Sequence, residues 1–331
     1  MVYRAAVVGC GKIGSEFADD PRIKDIYTHA GAYSVCRDTE LVAVCDSNPG
    51  KLKRCASRWG VKYRFDDIND MLAVQEPEIV SICTPDPTHY ELIRTAIASP
   101  SVRAVLAEKP LAMRVDEARD LFRMAGRKKV VLAVNYSRRY AGNFQNLRKF
   151  LQSGGIGDIQ AISGHYGNGT RHTGTHWFDL VRFLVGEIRR VRAFDRLHEA
   201  GEDPTLDVHL ELDRNIFGYL HGYNSRDFSI FELDIIGTLG RVTISDSGHT
   251  MRFHRVADSP YYSGYRSLMP FKEERGGMVD TVLHAVEDLV MCLDTGAEPL
   301  CTGRDGIENL KIAEAALNSA KEGRAITMDS E

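Results

Sequence analysis

The sequence predicts an α/β domain over residues 1–137 followed by an α+β domain over 138–331. Three observations carry this. Short, almost wholly apolar runs alternate with helical stretches up to residue 135, and strands that apolar belong to a parallel sheet covered on both faces. From residue 140 the runs lengthen and alternate polar with apolar, which fits an antiparallel sheet with helices on one face. The length of 331 residues exceeds what one small core organises, so two domains are expected.

In the first domain, strands are expected at 4–8, 41–45, 61–65, 78–83, 104–107 and 130–134, each an apolar run. A helix is expected straight after the first strand. Others are expected at 49–59, with Pro49 in its first turn, and at 67–74, 88–98 and 116–125. Thr88 is the candidate N-cap of the fourth. The stretch 19–33 reads as an insertion after the first helix.

In the second domain, helices are expected at 144–151 and 174–185, and two more, 278–293 and 306–321, finish the chain. Strands are expected at 159–166, 189–194, 206–212, 216–223, 230–236 and 241–245, with a hairpin turn at Asp213-Arg214-Asn215.

Composition excludes several classes. Hydrophobic content is 43%, charged content 27% and formal net charge -4, ordinary for a soluble globular protein. Neither a basic stripe nor aromatic–basic interleaving points to nucleic acid. The apolar runs fall short of a bilayer span, and the first strand begins at once, so neither a membrane segment nor a secretory leader is expected. The seven cysteines, Cys10, Cys36, Cys45, Cys55, Cys83, Cys292 and Cys301, are odd in number and lack C-x-x-C spacing. They point to a reducing cytoplasm.

The chemistry begins at Gly9-Cys10-Gly11-Lys12-Ile13-Gly14, which follows the first strand. Strand, G-x-G-x-x-G and helix together form the dinucleotide-binding fingerprint of a Rossmann domain. Gly9 permits the tight turn, Gly11 lets backbone approach a pyrophosphate, and Gly14 lets helix pack on strand. The helix N-terminus offers N–H groups to phosphate. Asp46 and Ser47 end the second strand, where a carboxylate accepts from ribose hydroxyls and repels a 2′-phosphate. That favours NAD; Lys51 and Arg54 keep NADP open. Asp46 also fits a plain turn in Asp46-Ser47-Asn48-Pro49. Thr84-Pro85-Asp86-Pro87-Thr88-His89 follows the fourth strand, at the sheet edge where ligands of such folds lie.

Glu108-Lys109-Pro110 follows the fifth strand and Asn135-Tyr136 the sixth, and Gly174-Thr175-His176-Trp177-Phe178-Asp179 opens a later helix. With the glycine motif and Thr84 to His89, this ordered set resembles the Gfo/Idh/MocA family, that of glucose–fructose oxidoreductase and inositol dehydrogenase, over nearly the whole chain. The resemblance implies a Rossmann domain and an open, mostly antiparallel sheet meeting the nicotinamide, a cofactor site using Gly9 to Gly14, Asp46, Ser47, Thr84, Pro85, His89, Glu108, Lys109 and Asn135, and a homodimer or homotetramer paired through the exposed sheet face. It implies hydride transfer on a secondary alcohol of a sugar, cyclitol or sugar derivative.

By that resemblance Lys109 is the lysine of the E-K-P motif. An ammonium there can stabilise a developing alkoxide, and Pro110 biases Lys109 towards an extended backbone. His176 matches the helix-motif histidine and can take the hydroxyl proton. Asp179 is expected to cap, orient or pair. His172 stands where the family often carries Asp, so the Lys-Asp-His constellation is altered; His172 either substitutes or marks different substrate handling. His165, Tyr166, Asn168 and Arg171 are further candidate pocket residues. His172 and His176 also have metal-ligand spacing, but they would need a third ligand such as His165, and no metal is expected. His29, in the insertion, fits either a fold over the cofactor or packing. Arg138 and Arg139 fit either substrate binding or carboxylate pairing. Two alternatives stand beside the dehydrogenase: a lyase or glycosidase using NAD in transient redox, and a non-catalytic cofactor-binding sensor.

Overall fold

The computed structural model describes residues 2–328. They form two compact units: the chain up to Ala141 together with Val279–Glu308, and Gly142–Met278 together with the chain from Asn309 on.

The first unit is built on β1 (Tyr3–Val8), β2 (Thr39–Cys45), β3 (Tyr63–Phe65), β4 (Ile79–Ile82), β5 (Ala104–Ala107) and β6 (Val131–Val134), in the order β3-β2-β1-β4-β5-β6. All neighbours are parallel. β4 and β5 are buried at every residue, as the apolar runs require of a sheet covered on both faces. The covering helices are α1 (His29–Val35), α2 (Pro49–Trp59), α3 (Ile68–Gln75), α4 (His89–Ala98), α5 (Val115–Lys128) and the short α6 (Ser137–Tyr140). Asn48 caps α2 through the Gly50 and Lys51 amides, and Gly60 ends it in left-handed conformation with φ 66°. Thr88 stands at the N-cap position of α4, but its side chain makes no capping hydrogen bond; its hydroxyl lies 2.7 Å from both Thr84 Oγ1 and Pro85 O.

The helix expected after the glycine motif is interrupted. Residues 11–15 make one turn, closed by Ser15 N–H to Gly11 O at 2.9 Å. A 3₁₀ segment, Glu16–Asp19, then leads the chain away. The helix resumes as α1, whose His29 and Ala30 amides donate to Ile13 O and Gly14 O, each at 3.0 Å. The excursion is therefore 16–28, inside the helix rather than after it. Thr28 caps the resumed helix by accepting from Gly31 N–H at 3.2 Å, and Phe17 packs on Tyr27 with ring centroids 5.7 Å apart.

The second unit carries α7 (Gly142–Gln152), α8 (Thr175–Leu184) and a sheet of β7 (Ile159–Tyr166), β8 (Ile188–Phe194), β9 (Asp207–Leu212), β10 (Phe217–Gly222), β11 (Glu232–Gly237), β12 (Gly240–Ser245), β13 (Thr250–Asp258), β14 (Arg266–Arg275) and β15 (Ile326–Thr327). Their order is β14-β13-β12-β11-β7-β10-β9-β8-β15. The pair β10–β7 is parallel and the others are antiparallel. The turn at Asp213–Asn215 joins β9 to β10, with Arg214 and Asn215 at positive φ. Gly164 lets α8 pack onto β7: a Cβ there would lie 2.2 Å from Trp177 Nε1. Trp177 is fully buried, and losing such a side chain costs about 3–5 kcal/mol. β13 and β14 lie outside the expected strands, because β14 is largely exposed and lacks a clean apolar alternation.

The boundary expected at 137/138 differs from the observed division, which first crosses at 141/142 and then returns. α9 (Thr281–Thr295) and the first turns of α10 (Gly303–Glu322) belong to the first unit. Asp294 accepts from Tyr3 Oη at 2.6 Å, and His284 bonds Tyr140 O at 3.1 Å. An apolar helix face shows that a helix packs, not which sheet it covers.

Candidate active site

A parallel sheet places every strand's carboxyl end on one edge. Here those ends carry Gly9 after β1, Asp46 after β2, Thr84 after β4, Glu108 after β5 and Asn135 after β6. β1 and β4 are neighbours, and the strand order reverses between them, the switch point at which such sheets hold ligands.

The glycines act differently. Gly9 has φ 95°, and a Cβ there would sit 2.6 Å from the Cys83 carbonyl. A Cβ on Gly14 would sit 1.9 Å from Gly9 O. Both positions exclude a side chain. Gly11 is open, its nearest neighbour being Lys51 Nζ at 3.7 Å. The amides of Gly11, Lys12 and Ile13 have no protein acceptor among the described residues. Asp46 accepts from Cys10 N–H at 2.7 Å and from Asn48 N–H at 2.8 Å. Arg54 pairs with Glu16 at 2.6 Å. Ser47, Lys12 and Pro85 are exposed, and Ile13 and Thr84 half-buried.

His89 is fully buried, its ring nitrogens 2.8 Å from Thr84 O and 2.7 Å from Pro110 O. It ties the loop after β4 to the loop that carries Lys109. Glu108 is also buried, and its Oε1 accepts from Asn135 Nδ2 at 2.7 Å and lies 3.0 Å from His29 Nε2. Burial works to raise the Glu108 pKa. The hydrogen bonds from His29 and Asn135 and the Lys109 charge together outweigh it and hold the carboxyl below its ordinary value. Asn135 Oδ1 is buried without a hydrogen-bond partner among the described residues. Lys109 is half-buried. Arg139, one of the two undecided arginines, pairs with Asp305 at 3.0 Å and donates to Leu300 O.

In the second unit, His172 and His176 lie on a π-helical turn, Thr170–Gly174, and on the α8 that continues it. Asp203 caps the turn, accepting from Arg171 N–H at 2.7 Å and His172 N–H at 2.9 Å. Gly169, at φ 87°, lets that carboxylate in: a Cβ would lie 2.2 Å from Asp203 Oδ2. Tyr166 Oη bonds Thr170 Oγ1 at 3.0 Å. Asp179 is buried and accepts from Asn309 Nδ2 at 2.8 Å, the pairing role expected for it. His172 and His176 are half-buried.

His165 does not join them. Gly164 and Tyr166 point under α8, so the alternating His165 points to the opposite face, where it lies 3.9 Å from Glu232 and its ring is 5.5 Å from that of His221. The third ligand needed for a metal at His172 and His176 is thus turned away from them. Asp203 carries no motif and escapes a reading of the sequence. His29 was visible there, but its buried partners were not.

A glycine turn whose Gly11, Lys12 and Ile13 amides have no protein acceptor among the described residues, at the switch point of a parallel sheet, defines a dinucleotide-binding protein. Comparison with known families gives the same class. Residues 3–136 match the oxidoreductase family's NAD-binding Rossmann fold and residues 163–328 its C-terminal alpha/beta domain. The chain belongs to the Gfo/Idh/MocA oxidoreductase family. It is 26% identical to inositol 2-dehydrogenase of Rhizobium meliloti, over 99% of this chain and 100% of that protein. It is 24% identical to D-apiose dehydrogenase of Paraburkholderia graminis, over 99% of this chain and 90% of that protein. A solved oxidoreductase from Agrobacterium radiobacter, in complex with NAD+, L-tartaric acid and magnesium, shares the fold at TM-score 0.78 and 19% identity, covering 99% of this chain and 98% of that one. Among the described residues no helix is long and apolar enough to cross a membrane.

Proposed function

We propose that this oxidoreductase acts on a secondary alcohol of a sugar, cyclitol or sugar derivative. The observation that carries the reading is the buried Glu108–Asn135 pair followed directly by Lys109 at a strand end. The names of the two relatives, inositol and apiose dehydrogenases, supply the substrate class.

The dinucleotide fits the residues present. Gly11 leaves room for close approach, the amides of 11–13 offer donors to phosphate, and Asn135 Oδ1 offers a buried acceptor. Asp46 and Ser47 are assigned to ribose, and Thr84, Pro85, His89 and Glu108 to shaping the remaining wall. The bound nicotinamide supplies hydride acceptance or donation. Lys109 hydrogen-bonds the reacting oxygen and stabilises negative charge there. His176 takes or returns the hydroxyl proton, and His172 hydrogen-bonds substrate in place of the usual carboxylate. Asp46 favours NAD over NADP, and Arg54, paired with Glu16, leaves that preference in place.

The protein is also read as a cytoplasmic homodimer or homotetramer. The open face of the second unit's sheet supports assembly: Phe194, Phe217 and Tyr219 are 52%, 43% and 51% exposed, and His209 stacks on Phe217 and Tyr219. Apolar aromatic patches of this kind mark interfaces. Light scattering after gel filtration tests it, and a monomer at micromolar concentration refutes it.

The function is tested by nicotinamide absorbance with NAD or NADP and a panel of cyclitols, aldoses, acidic sugars and sugar nucleotides. Reduced cofactor accumulating with one class establishes the reading. Tight cofactor binding with no reduction across the panel overturns it in favour of transient redox or a sensor.

A further inference from the structure

His29 belongs to no motif, yet it is fully buried and both ring nitrogens are engaged. Nδ1 lies 2.8 Å from Ser81 Oγ and Nε2 lies 3.0 Å from Glu108 Oε1. Ser81 Oγ also lies 2.8 Å from Tyr33 Oη. One arrangement satisfies every donor: Tyr33 O–H donates to Ser81, Ser81 O–H donates to Nδ1, and Nε2–H donates to Glu108. Tyr33 and Ser81 are fully buried as well, so this chain of hydrogen bonds is sealed from water and ends on the carboxylate that precedes Lys109.

A buried carboxylate persists only if its charge is met by donors and counter-charge. Glu108 has His29 and Asn135 as donors and Lys109 as a nearby cation. The other titratable groups acting around it are Tyr27 and Cys83, both raised by burial and by the Glu108 charge, with Arg138 acting on Tyr27 in the opposite sense. The excursion 16–28 re-enters the helix at His29, whose N–H donates to Ile13 O, and from there the ring reaches Ser81 on β4 and Glu108 after β5.

We propose that His29 is a positioning residue for Lys109: with Asn135 it fixes the Glu108 carboxylate, and so the strand end from which the next residue, Lys109, projects. This deepens the dehydrogenase reading and rests on it for the role of Lys109.

The experiment compares wild type with His29→Ala, His29→Gln, Glu108→Gln and the double variant His29→Ala/Glu108→Gln. The first readout is denaturant unfolding of the cofactor-free protein between about pH 4.5 and 8. In wild type the depressed Glu108 pKa contributes stability above the unfolded value, lost as pH falls through the folded one. Without its donor the buried carboxyl shifts upward, so His29→Ala falls further behind wild type as pH rises, and this widening gap vanishes in the Glu108→Gln background. The second readout is turnover with NAD on the substrate the panel identifies. There, kcat of His29→Ala falls about tenfold or more at neutral pH with KM within about threefold, its acid limb moves up, His29→Gln recovers part of the loss, and the double variant is no worse than Glu108→Gln. A pH-independent stability loss, or additive effects of the two substitutions, overturns the proposal. If His29→Ala does not fold, His29→Gln carries the same comparison. A wild type without turnover sinks the dehydrogenase reading alone, and the unfolding series still decides whether His29 holds Glu108.

Discussion

Two turns in this chain are built from the same parts and left in opposite states. Each begins at a glycine with positive φ, Gly9 at 95° and Gly169 at 87°, where a Cβ would collide with neighbouring atoms. Each opens a helical segment, and each is gripped by an aspartate. In the first unit Asp46 takes the Cys10 amide and its own chain's Asn48 amide, and the Gly11 to Ile13 amides stay without a protein acceptor among the described residues. In the second unit Asp203 takes both leading amides, those of Arg171 and His172. A turn with unfilled donors is ready for an anion. A turn filled by the protein's own carboxylate is a scaffold, and what it presents is side chains, His172 and His176.

The comparison therefore assigns ligand contact to the strand ends of the first unit and presentation to the turn of the second. Its strongest test is Lys109→Ala. Removing a group that stabilises transition-state charge costs about 10²–10³ in kcat. The NADH dissociation constant, read by fluorescence, should stay within about threefold; a variant that turns over normally removes Lys109 from the chemistry. Next is Asp203→Ala. It leaves two amides without an acceptor, at about 1–3 kcal/mol for a buried group, and loosens the histidines. The expected result is a lower melting temperature and a kcat loss of about tenfold with unchanged NADH affinity; weakened NADH binding would break the division of labour. Asp46→Ala should reverse the functional effects, weakening NAD binding about tenfold, as expected for lost hydrogen bonds to a charged acceptor, and reducing discrimination against NADP with kcat little changed; its melting temperature falls too, because the buried Cys10 amide loses its acceptor.

Most of the first unit was legible because its signals are local. Apolar runs mark buried strands, Asn48-Pro49 marks a helix start, and the glycine motif, Asp46, Thr84, Glu108 and Asn135 each follow a strand, so a parallel sheet gathers them. The illegible parts are non-local. The helix that breaks after Ser15 and resumes at His29 is joined through the Ile13 and Gly14 carbonyls, a tertiary fact without a composition signal. Glu108 meeting His29 joins residues 79 apart in sequence. The return of α9 to the first unit and the charged, exposed β14 escaped for the same reason: periodicity reports burial, not partners.

A third carboxylate in the same mould serves as the control. Asp207 on β9 accepts from Gly222 N–H at 2.9 Å and pairs with Arg196 at 2.7 Å, and among the described residues it hydrogen-bonds no candidate site residue. Burial works to raise its pKa, but the Arg196 hydrogen bond, the Gly222 amide and the charges of Arg196 and His221 hold it below the ordinary value. A depressed folded pKa means stabilisation present above the unfolded pKa and lost as pH falls through the folded one. The pair is solvent-screened, so the effect is under about 1 kcal/mol. Asp207→Asn should lower the denaturant midpoint slightly at neutral pH, converge with wild type in acid, and leave kcat and NADH affinity unchanged. If it instead impaired turnover as Asp203→Ala does, amide-gripping carboxylates would matter through general stability, and the contrast between the two turns would lose its functional meaning.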